Sequence, residues 1–261
     1  MLLKDKNAVI YGAGGSIGGA VAKEFACEGA RVFLAGRTRN PLEAVAADIS
    51  SASGSAEVAV LDALDEEAVD EHARAMASET GSIDVSFNLI TRGDVQGIPL
   101  IDMKTDDLLH AVVNGFRSNF ITARAAARHM VKQGSGVILV LDSGSANGSP
   151  MMGSTGPADA ATDTLVRNLA AEIGPRGVRV VGIWTAGLPE TFSKEKVAAV
   201  DSRFQEEAAF RGLIEGLDQM RMTRRSPRLA EVASTATFLA SEKAAAITGT
   251  FVNVTSGTFS S

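Results

Sequence analysis

Short, continuously apolar runs alternate with longer amphipathic stretches from one end of this chain to the other. The apolar runs cover residues 7–11, 31–36, 57–61, 83–90, 136–141, 177–184 and 249–254. Runs of that length without polar alternation predict strands covered on both faces. The stretches between them carry helical signals. One continues from the glycines after Tyr11 to Glu28. The next is capped by Asn40 with Pro41 in its first turn, shows an apolar stripe of Leu42, Val45, Ala46 and Ile49, and stops at Gly54. Asp65 is placed to cap a third, whose inner face is Ala68, Val69, His72, Ala73 and Met76. Further helices are predicted over 105–132, 158–173 and 226–240, and one or two within the polar segment 190–225.

Strands alternating with helices predict an α/β fold of the Rossmann type. It would be a doubly wound parallel sheet of about seven strands in a single domain, with helices on both faces. In such a sheet ligands lie beyond the carboxyl ends of the strands. The segments after Tyr11, Ala35, Leu61, Ile90, Leu141 and Trp184 therefore face one cleft, with residues 188–226 as its lid.

The first strand runs into Gly12-Ala13-Gly14-Gly15-Ser16-Ile17-Gly18. Strand, glycine turn, helix and second strand together mark a dinucleotide site. Gly12 makes the turn, Gly14 and Gly15 let a pyrophosphate approach, and Gly18 lets the helix pack closely. The helix start at Ser16 and Ile17 offers N–H groups to phosphate. The second strand ends in Gly36-Arg37, with no acid to hold a ribose 2′-hydroxyl and an arginine suited to a 2′-phosphate. This pattern selects NADP(H) over NAD(H), against the simpler account of Arg37 as a solvated loop residue.

Composition narrows the classes. Across 261 residues, 45% are hydrophobic but only 5% aromatic, so the core is built from Ala, Val, Leu and Ile. A net charge of −6 argues against nucleic acid or an anionic membrane as partner. The lone Cys27 excludes an internal disulfide and reads as a small buried helix residue. No run is apolar enough to span a bilayer. The expectation is a cytoplasmic protein acting on a small molecule. His72, His110 and His129 all fall on helices and read as structural, and no metal-ligand spacing is present. Arg221, Arg224, Arg225 and Arg228 read as a solvated face.

Nearly the whole chain resembles the short-chain dehydrogenase/reductase family. The resemblance rests on the glycine turn, on Asp62 at the position that holds the adenine edge, and on the fourth-strand Asp84-Val85-Ser86-Phe87-Asn88. It continues through residues 169–180 and the closing strand 249–254. It implies a nicotinamide cofactor, with Asn88 at the cofactor side of the sheet, and a homo-oligomer, expected to be a tetramer. Helices 105–132 and 158–173 would pair between subunits, with small residues such as Ala123, Ala126, Ala160 and Ala161 permitting close approach.

The family's proton relay is missing. It uses a Tyr-x-x-x-Lys pair with a serine and an asparagine. Here the tyrosine position falls on Thr155 and the lysine position on Asp159. The one tyrosine, Tyr11, precedes the glycine turn, so the spacing of the enoyl-reductase branch fails too. The serine position falls on Asp142 or Ser143, and Asn114 matches the helix asparagine. A carbonyl/alcohol hydride transfer still needs a proton at oxygen. Asp142 is the best surviving acid, since burial near another carboxylate would keep it protonated; a strand-end aspartate bonded to its own turn is the plainer account. Three functions follow: an NADP(H)-dependent oxidoreductase with a non-standard proton donor, another reaction on the same fold, or nucleotide binding without catalysis. The first is the reading adopted.

Overall fold

In the computed structural model, which describes residues 1–200 and 202–258, the seven apolar runs pair edge to edge. The strands are β1 (Asn7–Tyr11), β2 (Arg31–Gly36), β3 (Ser55–Val60), β4 (Val85–Asn88), β5 (Gly136–Asp142), β6 (Val178–Trp184) and β7 (Thr250–Asn253). They form a single sheet in the order β3-β2-β1-β4-β5-β6-β7, and every pairing is parallel. Chain order reverses between β1 and β4, which opens a crevice beyond their carboxyl ends. There Tyr11 stands beside both Ala35 and Asn88, and Asp142 beside Trp184.

The helices are α1 (Ser16–Cys27), α2 (Arg39–Ser51), α3 (Glu66–Thr80), α4 (Thr105–Gln133), α5 (Thr155–Ile173), α6 (Lys194–Val200), α7 (Glu207–Gln219) and α8 (Leu229–Ala240). They cover both faces of the sheet, as β1 itself shows. Ala8 and Ile10 join one buried cluster with Val21, Phe25, Leu42 and Leu239. Val9 and Tyr11 join another with Ile83, Met130 and Val166. Alternate residues of one strand thus feed two apolar layers, which is why the runs carry no polar alternation.

Local signals place several ends. Asp65 Oδ1 accepts the N–H groups of Glu67 and Ala68 at 3.1 Å, capping α3. Others differ from expectation. Helix α2 begins at Arg39 with Thr38, not Asn40, at the N-cap. Helix α5 begins at Thr155, one turn before Ala158. Cys27 is exposed at the end of α1, because it falls on the outer side of a helix that buries Val21, Ala22, Phe25 and Ala26. The 190–225 segment holds both α6 and α7, and no described residue of α7 is fully buried. Among the described residues no helix is long and apolar enough to cross a membrane.

Candidate active site

Two clefts meet at the carboxyl ends of the strands. The first, of about 530 Å³, runs between the glycine turn and the ends of β2, β3 and β4. Gly12, Gly14, Gly15, Arg37 and Asp62 line it on one side, and His110 and Asn114 of α4 on the other. Gly12 turns with φ +80°, and a Cβ there would stand 2.6 Å from Leu89 O. At Gly18 a Cβ would overlap Gly12 O, so only glycine lets α1 approach the strand this closely. Gly14, Gly15 and Ser16 are exposed at the start of α1, with no side-chain cap over its first N–H groups. That cradle fits a dinucleotide pyrophosphate. Arg37 is exposed at the rim, and Asp62 Oδ1 accepts Leu64 N–H at 3.0 Å.

The second cleft, of about 300 Å³, adjoins the first through Leu89, Ile90, Thr91 and Arg92. Ile17, Asn88, Asp142, Ser143 and the segment 185–188 line it. Asn88 is spent on the fold: its Nδ2 donates to Asn119 Oδ1 at 2.8 Å and to Ser118 Oγ at 3.2 Å, tying β4 to α4.

At the floor of this cleft the turn after β5 is shared between two carboxylates. Asp142 Oδ1 accepts Gly144 N–H at 3.0 Å. Asp159 Oδ2 accepts Ser143 N–H at 3.2 Å, Ser145 N–H at 2.9 Å and the Ser143 hydroxyl at 2.6 Å. Asp142 is 5% exposed, and its Oδ2 is buried without a partner. Burial, followed by the charges of Asp159 and Asp163, pushes the Asp142 carboxyl up from 3.8 to about 9, against the pull of Gly144 N–H and Arg92. Burial and the neighbouring carboxylates thus favour the protonated form of Asp142 at the end of β5.

Arg92 completes the cluster. Its Nη1 donates to Asp159 Oδ1 at 2.7 Å, while Nη2 and Nε reach Asp94 at 2.9 and 3.3 Å. Burial alone would lower its pKa, but Asp159 and Asp94 together raise it. Nothing in the sequence marked this residue, which sits in an irregular loop with neither a motif nor a periodic position.

Of the expected catalytic set, Asp142, Ser143 and Asp159 come together. Thr155 does not reach either cleft: it is 2% exposed, and its Oγ1 accepts from Gln96 Nε2 at 2.9 Å. The loop after β4 covers it, stitched down by Gly97 N–H to Met151 O at 2.8 Å and Val95 N–H to Ser154 Oγ at 3.1 Å. Asp159, 0% exposed, faces the β5 turn rather than a cleft. Asn114 does not join them: it pairs with His110 Nε2 at 3.0 Å in the first cleft. His110 is thus a cleft residue rather than a purely structural one. His72 packs edge-on to Phe33, and burial lowers its pKa. Arg221 is not solvated: it is 2% exposed and donates to Ala186 O at 3.0 Å beneath the second cleft's rim. Among the described residues no three His, Cys, Asp or Glu side chains converge to hold a metal.

Known proteins resemble this chain throughout. A family profile described as enoyl-(acyl carrier protein) reductase matches residues 12–258. An L-rhamnose 1-dehydrogenase (NAD(P)(+)) from Azotobacter vinelandii is 29% identical over 99% of this chain and 98% of its own. A short-chain type dehydrogenase/reductase from Mycobacterium marinum superposes with a TM-score of 0.82 at 26% identity, covering 99% of this chain and 97% of its own. A 7α-hydroxysteroid dehydrogenase, solved with NADH and 7-oxo glycochenodeoxycholic acid, superposes with a TM-score of 0.80 at 26% identity, covering 98% and 94%.

Proposed function

Since the chain belongs to the short-chain dehydrogenase/reductase family of oxidoreductases, we propose that it passes a hydride between NADP(H) and a small carbonyl or alcohol, with Asp142 as the proton donor. The nicotinamide, when bound, supplies or accepts the hydride. The first cleft would hold the dinucleotide, with the N–H groups at Gly15 and Ser16 available to the pyrophosphate, Arg37 to the 2′-phosphate and Asp62 to the adenine. Asp142 then does what the absent tyrosine would do. Asp142 would give its proton to the oxygen of the carbonyl being reduced, so that an alcohol forms, and the carboxylate would be reprotonated from water. Ser143 Oγ orients the carbonyl. Residues 188–226 act as the lid, since Leu188 and Thr191 already line the second cleft.

One observation carries this reading: Asp142, a buried carboxyl that favours its protonated form and has one oxygen without a partner, is among the residues lining the cleft that adjoins the glycine turn. The polar side chains of Asn88, Asn119, Ser143 and Thr185 in a mixed lining, together with the rhamnose dehydrogenase among its relatives, put aldoses and small hydroxyketones first among substrates to try. The test is NADPH consumption across such a panel, with alcohol counted against cofactor. Failure of every carbonyl, with NADPH bound, would leave the protein without this activity.

The active form is proposed to be a homotetramer. Leu109, Val113, Phe116 and Phe120 make an exposed apolar stripe along α4, between 40% and 54% accessible. Their spacing follows one helical face, and a second copy would cover it; Ala123 and Ala126, expected at that contact, are instead buried in the protomer's own core.

A further inference from the structure

Asp159 stands where a lysine would be expected, and no cation comes from α5. A cation nevertheless reaches the same place from another element. We propose that Arg92, acting through Asp159, is the positioning residue that fixes the turn at 142–145 under the second cleft. Three observations carry this. Arg92 grips two carboxylates, Asp94 beside it in the loop and Asp159 on α5. Asp159 in turn takes the N–H groups on either side of Gly144, whose own N–H goes to Asp142. The Arg92 side chain also needs the room left by Gly115 on α4, where a Cβ would stand 2.5 Å from Arg92 Cδ. The Arg92 side chain therefore packs its alkyl part against α4 and ties the β4 loop to α5 through its guanidinium, and Asp159 carries that tie to the β5 turn.

Asp159 is fully buried, so leaving it unpaired is costly, whereas removing both charges is not. The groups facing Asp142 are Asp159 and Asp163 from α5 and Arg92 from the loop, with Asp94 on the far side of Arg92. Arg167 pairs with Asp163 and Gly144 N–H still donates to Asp142, so without the Arg92 cation it is Asp159 that goes uncompensated and Asp142 holds its proton to higher pH.

The kinetic arm of the test rests on Asp142 being the proton donor, but the structural arm does not. Amide hydrogen exchange at Ser143 and Ser145 is measured in the wild type, Arg92→Met, Arg92→Lys, Gly115→Ala and the double variant Arg92→Met/Asp159→Asn. Arg92→Met is expected to speed exchange at both amides by about tenfold or more, the loss of roughly one hydrogen bond's worth of restraint. Exchange in β1 and β2 should be unchanged. Arg92→Lys, which keeps one ion pair, should fall between, and Gly115→Ala should reproduce part of the effect. The double variant should return toward wild type. Where a carbonyl substrate is turned over, the basic limb of its kcat–pH profile should move upward in Arg92→Met. If the Met variant does not fold, Arg92→Lys and Gly115→Ala carry the same test. Unchanged exchange at Ser143 and Ser145 in folded variants overturns the inference. Faster exchange in a protein that turns over no carbonyl upholds it, and then it is the proposed activity that falls.

Discussion

Arg92 Nη1 lies 2.7 Å from Asp159 Oδ1, joining the loop after β4 to the buried face of α5 across 67 positions of sequence. This contact bears on any attempt to place a lysine at position 159. Asp159→Lys would set a second cation against Arg92 and strip three donors of the β5 turn of their acceptor. The expected cost is about 3–5 kcal/mol, the range for breaking a buried ion pair. Chemical denaturation of the single variant checks this; an unchanged midpoint would contradict it.

Cofactor choice is expected to follow Arg37. NADPH should bind more tightly than NADH, and Arg37→Ala should weaken NADPH by about 10- to 100-fold, the worth of a charge-assisted phosphate contact. NADH affinity should hardly change. Titration by cofactor fluorescence measures both, and equal affinities in the wild type would contradict the assignment.

Stability should depend on pH through Asp142. Its folded-state pKa is raised, from 3.8 to about 9. The stability it contributes is therefore complete below about pH 3.8 and is lost as pH climbs toward 9, because the fold must then hold a buried charge or bind a proton from dilute solution. Asp142→Asn removes that dependence. Its Tm should match the wild type near pH 4 and exceed it at pH 9, by at least about 1 kcal/mol in stability. A Tm difference that does not grow with pH would contradict the raised pKa.

Replacing Val113 and Phe116 by aspartate on the α4 stripe should yield a smaller species by light scattering at micromolar concentration. Both side chains are solvent-accessible in the single chain, 54% and 40%, so the protomer itself should keep its fold. A wild-type protein that already runs as a monomer would remove the basis of this expectation.

The sequence made legible what has a period or a fixed spacing. The seven strands, the glycine turn at Gly12–Gly18 and the Asp65 cap all follow from local rules, because each is decided by residues a few positions apart. Asp142 was legible as a candidate acid because the family resemblance puts the serine position at Asp142 or Ser143. Arg92 was not, since its meaning depends on a partner 67 positions away and on the space left by Gly115. Thr155 looked like a cleft residue because the family resemblance puts the tyrosine position there; only the stitching of residues 95–97 onto 151–154 shows that it is covered. Cys27 and Arg221 were misplaced for a related reason. Composition says what a side chain prefers, whereas the facing element decides what it gets: solvent for Cys27, and the Ala186 carbonyl for Arg221.

The central claim is that Asp142 gives the proton that accompanies hydride transfer. Its most direct test is the kcat of NADPH-dependent carbonyl reduction, measured across pH for the wild type and Asp142→Asn at saturating cofactor. The account predicts a wild-type rate that falls as pH rises toward 9. It predicts a variant rate lower by about 10²–10⁴-fold, the contribution of a positioned general acid, with NADPH affinity retained. A variant that keeps the wild-type rate and the wild-type pH limb would contradict it.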